Sequence, residues 1–388
     1  MKVLILGGDG YLGWPTAMYL SRKGHDVAVV DNYIKRFWES QAEVEPLTPI
    51  NNLNKRIKIW ENLTQNKIKL FLGDISENNR FLNKTISEFQ PEAIIHYAEQ
   101  PSAPFSMISQ YNCIETQRNN VLGTLNLIFA IQRNNPDIHI IKLGTMGEYG
   151  TPNIDIEEGW ININHNGRSD KVLYPKRPPS FYHLSKVHDS ANLEFVCRSW
   201  DLRVTDLNQG IVYGIETDET IIDDRLCTSF HYDQYFGTVL NRFIVQAYLG
   251  VPLTVYGKGG QTRGMLNIKD TLKCVEIALN NPASKGEFRV FNQFTEQFTV
   301  LELAEKVKKA CIKIGKDVNI GLYPNPRTES DNHYFNAKHS ALVELGLEPE
   351  YLNEDFIIRM INTVEKYSER IDPNIIEPTH YWNNKIVR

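Results

Sequence analysis

A tyrosine and a lysine four residues apart form the clearest chemical pair in this sequence. Tyr182 and Lys186 lie in the run Tyr182-His183-Leu184-Ser185-Lys186. On a helix, side chains at positions i and i+4 share one face. We expect the ammonium to lower the pKa of the phenol, so that a phenolate can take a proton from a substrate hydroxyl as hydride leaves. Thr145, which follows an apolar run, would offer a short hydroxyl to the same oxygen. The alternative is an exposed helical face without chemistry.

Three glycines near the start of the chain predict a dinucleotide site. Gly7, Gly10 and Gly13 space a turn between an apolar run and a helical segment. Glycines let the backbone approach a pyrophosphate, which then lies against the positive helix N-terminus. We expect the remaining contacts of this turn to come from Asp9, Tyr11 and Leu12. A glycine-rich turn without a ligand is the alternative.

Asp31, at the end of the second apolar run, indicates which dinucleotide binds. A carboxylate there accepts hydrogen bonds from ribose hydroxyls and repels a 2′-phosphate, which favours NAD over NADP. Lys35 and Arg36 leave NADP open, because a nearby arginine can accommodate that phosphate. Further cofactor contacts are predicted for Asn32, Arg36, Asp74, Ile75, Asn119, Tyr182, Lys186, Gln209 and Val212.

Short apolar runs alternate with helical segments over the first half of the chain. Such alternation predicts an α/β fold with a doubly wound parallel sheet and helices on both faces. The predicted strands are Lys2–Leu6, Val27–Val30, Ile68–Leu72, Ala93–His96 and Ile138–Leu143, and helices are predicted at Tyr11–Arg22 and Asn119–Ile131. Residues 33–63 form a long insertion, and residues 155–180 are predicted to be irregular.

The alternation loosens beyond Tyr213. Leu253–Tyr256 has the pattern of a strand and Val300–Ile314 that of an amphipathic helix. We therefore expect a cofactor domain over residues 1–212. Residues 213–388 should form a smaller α/β lobe for the substrate, with some segments returning to the first domain.

Composition excludes several classes of protein. The net charge of −5 over 388 residues gives no basic surface for nucleic acid. Five scattered cysteines lack metal-ligand spacing, so no metal is predicted. No apolar run approaches the roughly 20 residues of a membrane span. Because the chain starts on a predicted core strand, we expect a cytoplasmic protein without a leader.

Together, the glycine turn, Thr145 and the Tyr182–Lys186 pair resemble the extended short-chain dehydrogenase/reductase family. The resemblance implies NAD, a nucleotide-sugar substrate that is oxidised at C4 of its hexose, and a homodimer or homotetramer. Longer stretches resemble one branch, which makes a sulfonated UDP-sugar from UDP-glucose and sulfite. These stretches are residues 99–107, 143–159, 181–190, 206–210 and 255–264.

That branch implies C4 oxidation, loss of the C6 hydroxyl, sulfite addition at C6 and re-reduction of C4 by the retained cofactor. The alternatives are a UDP-glucose 4-epimerase, a 4,6-dehydratase and a non-catalytic NAD-sensing protein on the same fold. Dehydratases of this family carry Asp and then Glu after the threonine, where this chain has Met146 and Gly147. Pro101 replaces an arginine of plant-type members, which removes one expected anion contact.

Another group must therefore serve C5 and C6. His183 is the first candidate, because its unperturbed pKa suits acid–base work near neutrality, and Glu148 is the second. The alternative for His183 is a packing role.

The same resemblance assigns the UDP contacts. Arg263 and Arg327 would bind the pyrophosphate, since guanidinium groups bind phosphate bidentately. Thr254 and Tyr256 would flank the uracil, and Glu329 would accept from the ribose. The remaining predicted substrate contacts are Gln100, Gln209, Val239, Leu240, Asn241, Arg242, Val255 and Gln261.

Overall fold

Fourteen strands form four sheets in the described part of the computed structural model, which covers residues 1–330 and 333–382. They are β1 (Lys2–Leu6), β2 (Asp26–Asp31), β3 (Ile68–Leu72), β4 (Ala93–His96), β5 (His139–Thr145), β6 (Trp160–His165), β7 (Arg168–Leu173), β8 (Arg203–Gln209), β9 (Ile211–Tyr213), β10 (Leu253–Tyr256), β11 (Thr262–Asn267), β12 (Phe288–Gln293), β13 (Glu296–Thr299) and β14 (Ile320–Tyr323). Seven of them form one parallel sheet in the order β12-β8-β5-β4-β1-β2-β3.

Helices cover both faces of this sheet. They are α1 (Gly13–Arg22), α2 (Ile34–Gln41), α3 (Leu53–Thr64), α4 (Asn79–Phe89), α5 (Ala103–Ser106), α6 (Gln110–Gln117), α7 (Gly123–Asn134), α8 (Phe181–Trp200), α9 (Val239–Leu249), α10 (Ile268–Asn280), α11 (Val300–Lys313), α12 (Ala341–Glu344) and α13 (Glu354–Lys366). Along β1, Val3 and Ile5 pack towards α1, α3 and α10, whereas Leu4 and Leu6 pack towards α4, α7 and α8. The predicted α/β doubly wound class is confirmed.

A smaller lobe follows β9. Its core packs α9, α11 and α13 around side chains such as Phe243, Val255 and Leu303. Two short sheets complete it, in the orders β10-β14 and β13-β11-β9. The chain also returns to the first sheet, where β12 pairs with β8. The division at residue 212 stays a prediction.

The segment predicted to be irregular, residues 155–180, contains an ordered hairpin. Strands β6 and β7 pair in antiparallel register. Asn166 and Gly167 connect them with φ values of 48° and 73°, the two positive φ angles of a tight hairpin turn. The expectation of irregular structure is wrong here. Upstream, the predicted helix at 119–131 begins as a π-helical turn, Arg118–Leu122, before α7.

The described residues contain neither a metal-binding cluster nor a membrane-spanning helix. No group of acidic, histidine or cysteine side chains there could hold a metal ion. No helix among them is both long and apolar enough to cross a membrane.

A buried lysine joins the sheet to the turn that follows β5. The ammonium of Lys142 lies 3.1 Å from Glu148 Oε1 and 3.2 Å from Asp206 Oδ2, and all three side chains are 0% exposed. It also donates to Ser190 Oγ at 2.9 Å. Lys176, in the segment after β7, contacts the other oxygen of Glu148. Buried charges are stable only when paired, so these contacts fix the turn and the hairpin segment to the sheet.

Replacing Lys142 by Met should strongly destabilise the fold. The substitution leaves Glu148 and Asp206 buried with less compensation, and we expect the free energy of unfolding to fall by about 3–5 kcal/mol. Denaturant unfolding measures it. The matched control is Lys69→Met on β3, whose ion pair with Glu88 is exposed to solvent, so that its loss should leave the free energy of unfolding nearly unchanged. Equal losses in the two variants would contradict the argument.

Candidate active site

The glycine turn closes tightly between β1 and α1. Gly7 has a φ of 90°, and a Cβ there would lie 2.8 Å from the backbone nitrogen of Ala98. A Cβ on Gly13 would lie 1.9 Å from the Gly7 carbonyl oxygen. Within residues 1–330 and 333–382, no side chain caps the start of α1. A bare helix N-terminus beside a glycine turn fits a dinucleotide pyrophosphate.

Asp9 ties this turn to the insertion. Its carboxylate accepts from Arg36 Nε at 2.7 Å and Arg36 Nη2 at 2.9 Å, and from Arg56 Nη2 at 2.5 Å. Arg36 also donates to the backbone oxygen of Asn51. Lys35 contacts Glu39 instead. Both cations that left NADP open therefore have protein partners, which supports the NAD preference.

Asp31 lies beside the same turn at the end of β2. Its two oxygens accept from the backbone N–H groups of Asp9 and Tyr33 at 2.8 Å and 2.7 Å. Burial and the neighbouring Asp9 charge raise the pKa of Asp31 to about 6. The carboxylate is therefore mostly ionised at neutral pH and keeps lone pairs that could accept from ribose hydroxyls.

Other predicted cofactor residues surround the turn. Asn32 donates to Asp74 Oδ2 at 2.7 Å, which fixes the loops after β2 and β3 against each other. Tyr11 donates to the Gly214 carbonyl. Leu12 and Val212 pack together. The others are Ile75, which is buried, Gln209, which donates to Gln293 Oε1 at 3.0 Å, and Asn119, which donates to Asn120 Oδ1 at 3.0 Å.

Thr145 ends β5 and caps the short turn that follows. Its hydroxyl oxygen accepts from the Gly147 N–H at 3.2 Å, and its own N–H donates to Glu148 Oε1 at 3.3 Å. The hydroxyl hydrogen is left for another acceptor, such as a substrate oxygen.

Lys186 is not free to act on Tyr182 alone. Its ammonium contacts Glu99 Oε2 and donates to the Leu143 carbonyl. Burial and the carboxylates of Glu99 and Glu148 raise the pKa of the Tyr182 phenol. The expected lowering of this pKa by Lys186 is wrong for this arrangement, because burial first and the two carboxylates second raise it.

His183 packs directly over Gly147. A Cβ on Gly147 would lie 2.2 Å from His183 Nε2, so no larger residue fits beneath the ring. Nδ1 is 2.8 Å from Ser180 Oγ. Burial, followed by the charges of Arg327 and Arg263, lowers the pKa of His183 to about 3. The expectation of an ordinary histidine pKa is wrong, and the imidazole is neutral near pH 7.

Glu148 faces the interior instead of the cleft. Burial acts to raise its pKa, but the ammonium groups of Lys142 and Lys176 outweigh burial and hold that pKa at about 2. Both of its oxygens have partners, including Ser190 Oγ at 2.9 Å. A carboxylate held in this way does not exchange protons near neutral pH. The hypothesis that Glu148 serves C5 or C6 is therefore wrong.

Three arginines meet on the small-lobe side of the cleft. Arg263 Nη2 lies 2.5 Å from Glu329 Oε2. Arg242 stacks on the Tyr256 ring with its guanidinium carbon 4.5 Å from the ring centre. Arg327 lies near both of the other arginines, since their charges act on its pKa, and stacks on the Trp382 ring at 5.4 Å. Three cations with one close carboxylate leave an excess of positive charge on this side, which suits an anion.

Several predicted substrate residues have other partners. The side chains of Leu240 and Val255 are fully buried in the small-lobe core. Neither side chain is accessible to a ligand, so a contact there would come from the backbone, and these two assignments stay predictions. Thr254, Asn241 and Gln261 bond within the lobe, to Gln246, the His231 carbonyl and the Tyr256 carbonyl. Val239 begins α9, and buried Gln100 has no partner for its amide nitrogen within the described residues.

Sequence reasoning missed Glu99 and Arg56 as parts of the site. Glu99 stands in the loop after β4, and its proximity to Lys186 depends on two distant segments meeting in the fold. Arg56 lies in the insertion, where α3 brings it under the glycine turn. An acid next to the carboxyl end of a parallel strand was the available signal for Glu99.

Comparison with known proteins identifies the family of this chain. Residues 3–292 match the NAD dependent epimerase/dehydratase family. The chloroplastic UDP-sulfoquinovose synthase of Spinacia oleracea is 53% identical over 381 residues, which cover 98% of this chain and 79% of the spinach protein. UDP-sulfoquinovose synthase of Sulfolobus acidocaldarius is 40% identical over 385 residues, 98% of each chain.

A solved structure agrees with the fold. UDP-glucose 4-epimerase from Bifidobacterium longum, in complex with NAD+ and UDP, superposes with a TM-score of 0.70 at 21% identity, covering 96% of this chain and 100% of the epimerase. The family match over residues 3–292 and the two synthases show that the chain belongs to the NAD-dependent epimerase/dehydratase family and, within it, to the UDP-sulfoquinovose synthases.

Proposed function

We propose that this protein converts UDP-glucose and sulfite into UDP-sulfoquinovose and water. The glycine turn and Asp31 would hold NAD, which would supply a hydride acceptor for C4 of the hexose and a hydride donor for its re-reduction. The ketone at C4 acidifies the C5 hydrogen, so that loss of this proton and of the C6 hydroxyl leaves an enone. Sulfite then adds at C6.

The packing of His183 over Gly147 is the observation that favours this reaction over 4,6-dehydration. A dehydratase needs an acidic side chain where this chain has Gly147. Since a Cβ at this position would lie 2.2 Å from the imidazole, the ring occupies the space of that acid. Identity of 53% to a synthase over nearly the whole chain supports the same choice.

Tyr182 and Thr145 are proposed to handle the proton at the C4 oxygen. Tyr182 would take this proton as the ketone forms and give it back during re-reduction, while the Thr145 hydroxyl would hold the oxygen in place. Lys186, held by Glu99 and the Leu143 carbonyl, would fix the charge beneath the phenol.

His183 is proposed as the acceptor of the C5 proton, with a basicity that depends on the substrate. Arg327 and Arg263 contribute to its low pKa. A pyrophosphate bound to these arginines would offset their charge and so raise the pKa of His183. The histidine would thus become a better base when the nucleotide sugar is bound.

The arginine cluster is proposed to hold the UDP pyrophosphate. Arg242, Arg263 and Arg327 carry three positive charges, and Glu329 neutralises one of them. The remaining two charges match a doubly charged pyrophosphate. In this arrangement Tyr256 would stand near the base, and Glu329 could also accept from the ribose.

A homodimer or homotetramer is proposed from the surface of the helices. Apolar side chains are exposed on α6, α7 and α8, which pack beside one another. They are Tyr111, Ile114, Phe129 and Phe195. Burying them against a second copy would remove apolar surface from water. A cytoplasmic location stays a prediction, and the spinach relative is named as chloroplastic.

Incubation with UDP-glucose, NAD and sulfite tests the proposed function. We expect a product whose mass corresponds to replacement of the C6 hydroxyl by sulfonate, detected by mass spectrometry. Reactions without sulfite are the control. Formation of UDP-galactose or of a stable 4-keto-6-deoxy sugar as the only product would show an epimerase or a dehydratase instead.

His183→Ala should slow exchange of the C5 hydrogen. With UDP-glucose deuterated at C5 and no sulfite, we expect wash-out of the label to fall about 10²–10⁴-fold, the usual contribution of a positioned base. Mass analysis of the recovered sugar measures it. His188→Ala, a change at an exposed position of the same helix, is the matched control. Wash-out at the native rate in the His183 variant would refute the assignment.

Arg327→Ala should weaken substrate binding. Losing charged hydrogen bonds of about 1.5–3 kcal/mol corresponds to an increase of the KM for UDP-glucose by about 10–100-fold. Steady-state kinetics measure it, and Arg133→Ala on the exposed side of α7 controls for loss of surface charge. If the KM does not change, Arg327 does not bind the pyrophosphate.

A further inference from the structure

We propose that Glu99 is a positioning residue that sets the protonation of Tyr182 through Lys186. The proposal rests on the proposed function, in which Tyr182 exchanges a proton with the substrate. The side chains of Glu99 and Lys186 are each 3% exposed and form an ion pair. Because they are almost sealed from water, their charges act on neighbouring groups with little screening.

The backbone beside Glu99 is held in place from both sides. The N–H of Gln100 donates to Asn120 Oδ1 at 2.7 Å, and the Asn120 amide nitrogen lies 3.2 Å from the Gln100 carbonyl oxygen. Asn120 also donates to Ser185 Oγ at 2.9 Å, and this hydroxyl donates to the Tyr182 carbonyl at 2.7 Å. A π-helical turn carries Asn120. The loop of Glu99 is therefore joined to the helix turn that carries Tyr182.

Lys186 is held from two sides. Its ammonium donates to the Leu143 carbonyl and forms an ion pair with the Glu99 carboxylate. Glu99 thus determines both the position of the ammonium and the net charge beneath the phenol.

Charged and titratable groups face this pair from every neighbouring element. From β4, β5, the following turn and α8 these groups are His96, Lys142, Glu148 and Asp189. Burial and the charge of Glu99 raise the pKa of Asp189 well above its usual range, so Asp189 tends to keep its proton. Glu99 then supplies the negative charge that opposes Lys186.

The negative charge of Glu99 matters because Tyr182 must both accept and return a proton during one turnover. A lysine acting alone would favour the phenolate, which suits C4 oxidation but not the final reduction, when the phenol must give its proton back. A carboxylate beside the lysine favours the protonated phenol. Glu99 therefore keeps the two protonation states of Tyr182 closer in free energy.

Glu99→Gln tests the proposal by titration of Tyr182. The substitution keeps the shape of the side chain and removes its charge. We expect the pKa of Tyr182 to fall by about 1–3 units, as expected when an opposite charge acts unopposed on an acid. Near-ultraviolet phenolate absorbance, taken as the difference between each protein and its Tyr182→Phe counterpart, measures that pKa without substrate. Failure here is therefore distinct from failure of the proposed reaction.

The rate profile supplies a second readout. We expect the rise of kcat with pH to move to lower pH in Glu99→Gln and to stay in place in Glu99→Asp, which keeps the charge. The matched control is Glu88→Gln, which removes an exposed carboxylate on α4. It should leave the pH profile of kcat unchanged.

Two outcomes would overturn the proposal. One is a Tyr182 pKa that does not change in Glu99→Gln. The other is a loss of rate by the same factor at every pH, which a merely structural role would produce. If Glu99→Gln does not fold, Glu99→Asn is measured in its place, where removal of the charge beside Lys186 should again lower the pKa of Tyr182.

Discussion

The buried pairing of lysines with carboxylates at the carboxyl ends of β4, β5 and β8 is the constraint on which the site depends. Lys142 fixes Glu148 and thereby the turn that carries Thr145, and Glu99 fixes Lys186 beneath Tyr182. Each charge would be costly in the interior without its partner. The reactive groups thus lie above buried ion pairs whose charges compensate one another. The position of each reactive group depends on these pairs.

These buried ion pairs also explain why side chains of similar chemistry differ so much in role. Glu148 and Glu99 are both buried acids near Tyr182, but two lysines hold Glu148 while one lysine faces Glu99. His183 lies above these ion pairs, between the turn after β5 and the arginines of the small lobe. In the proposed reaction, the cleft would therefore divide into a region that moves protons and a region that holds the anion.

Much of the fold could be predicted, because buried parallel strands appear in the sequence as apolar runs. The runs at β1, β3 and β4 match their predicted bounds. The β6–β7 hairpin was missed because its strands are largely exposed, although Ile161-Asn162-Ile163-Asn164 alternates apolar and polar residues and Asn166-Gly167 is a strong turn signal. In the site, residue types and spacing indicated Tyr182, Lys186 and Thr145. Partners such as Glu99 and the low pKa of His183 arise from contacts between distant segments, which no local pattern contains.

The link between Asp9 and Arg56 has a consequence for how this protein could change during evolution or redesign. Arg56 belongs to the insertion, but its charge is neutralised inside the nucleotide-binding turn and its guanidinium stacks on Trp14. A deletion within the insertion that removes both Arg56 and Arg36 would therefore leave Asp9 without a cation in that turn. A viable deletion would need a simultaneous replacement of Asp9 by a neutral residue, so the two segments are expected to vary together.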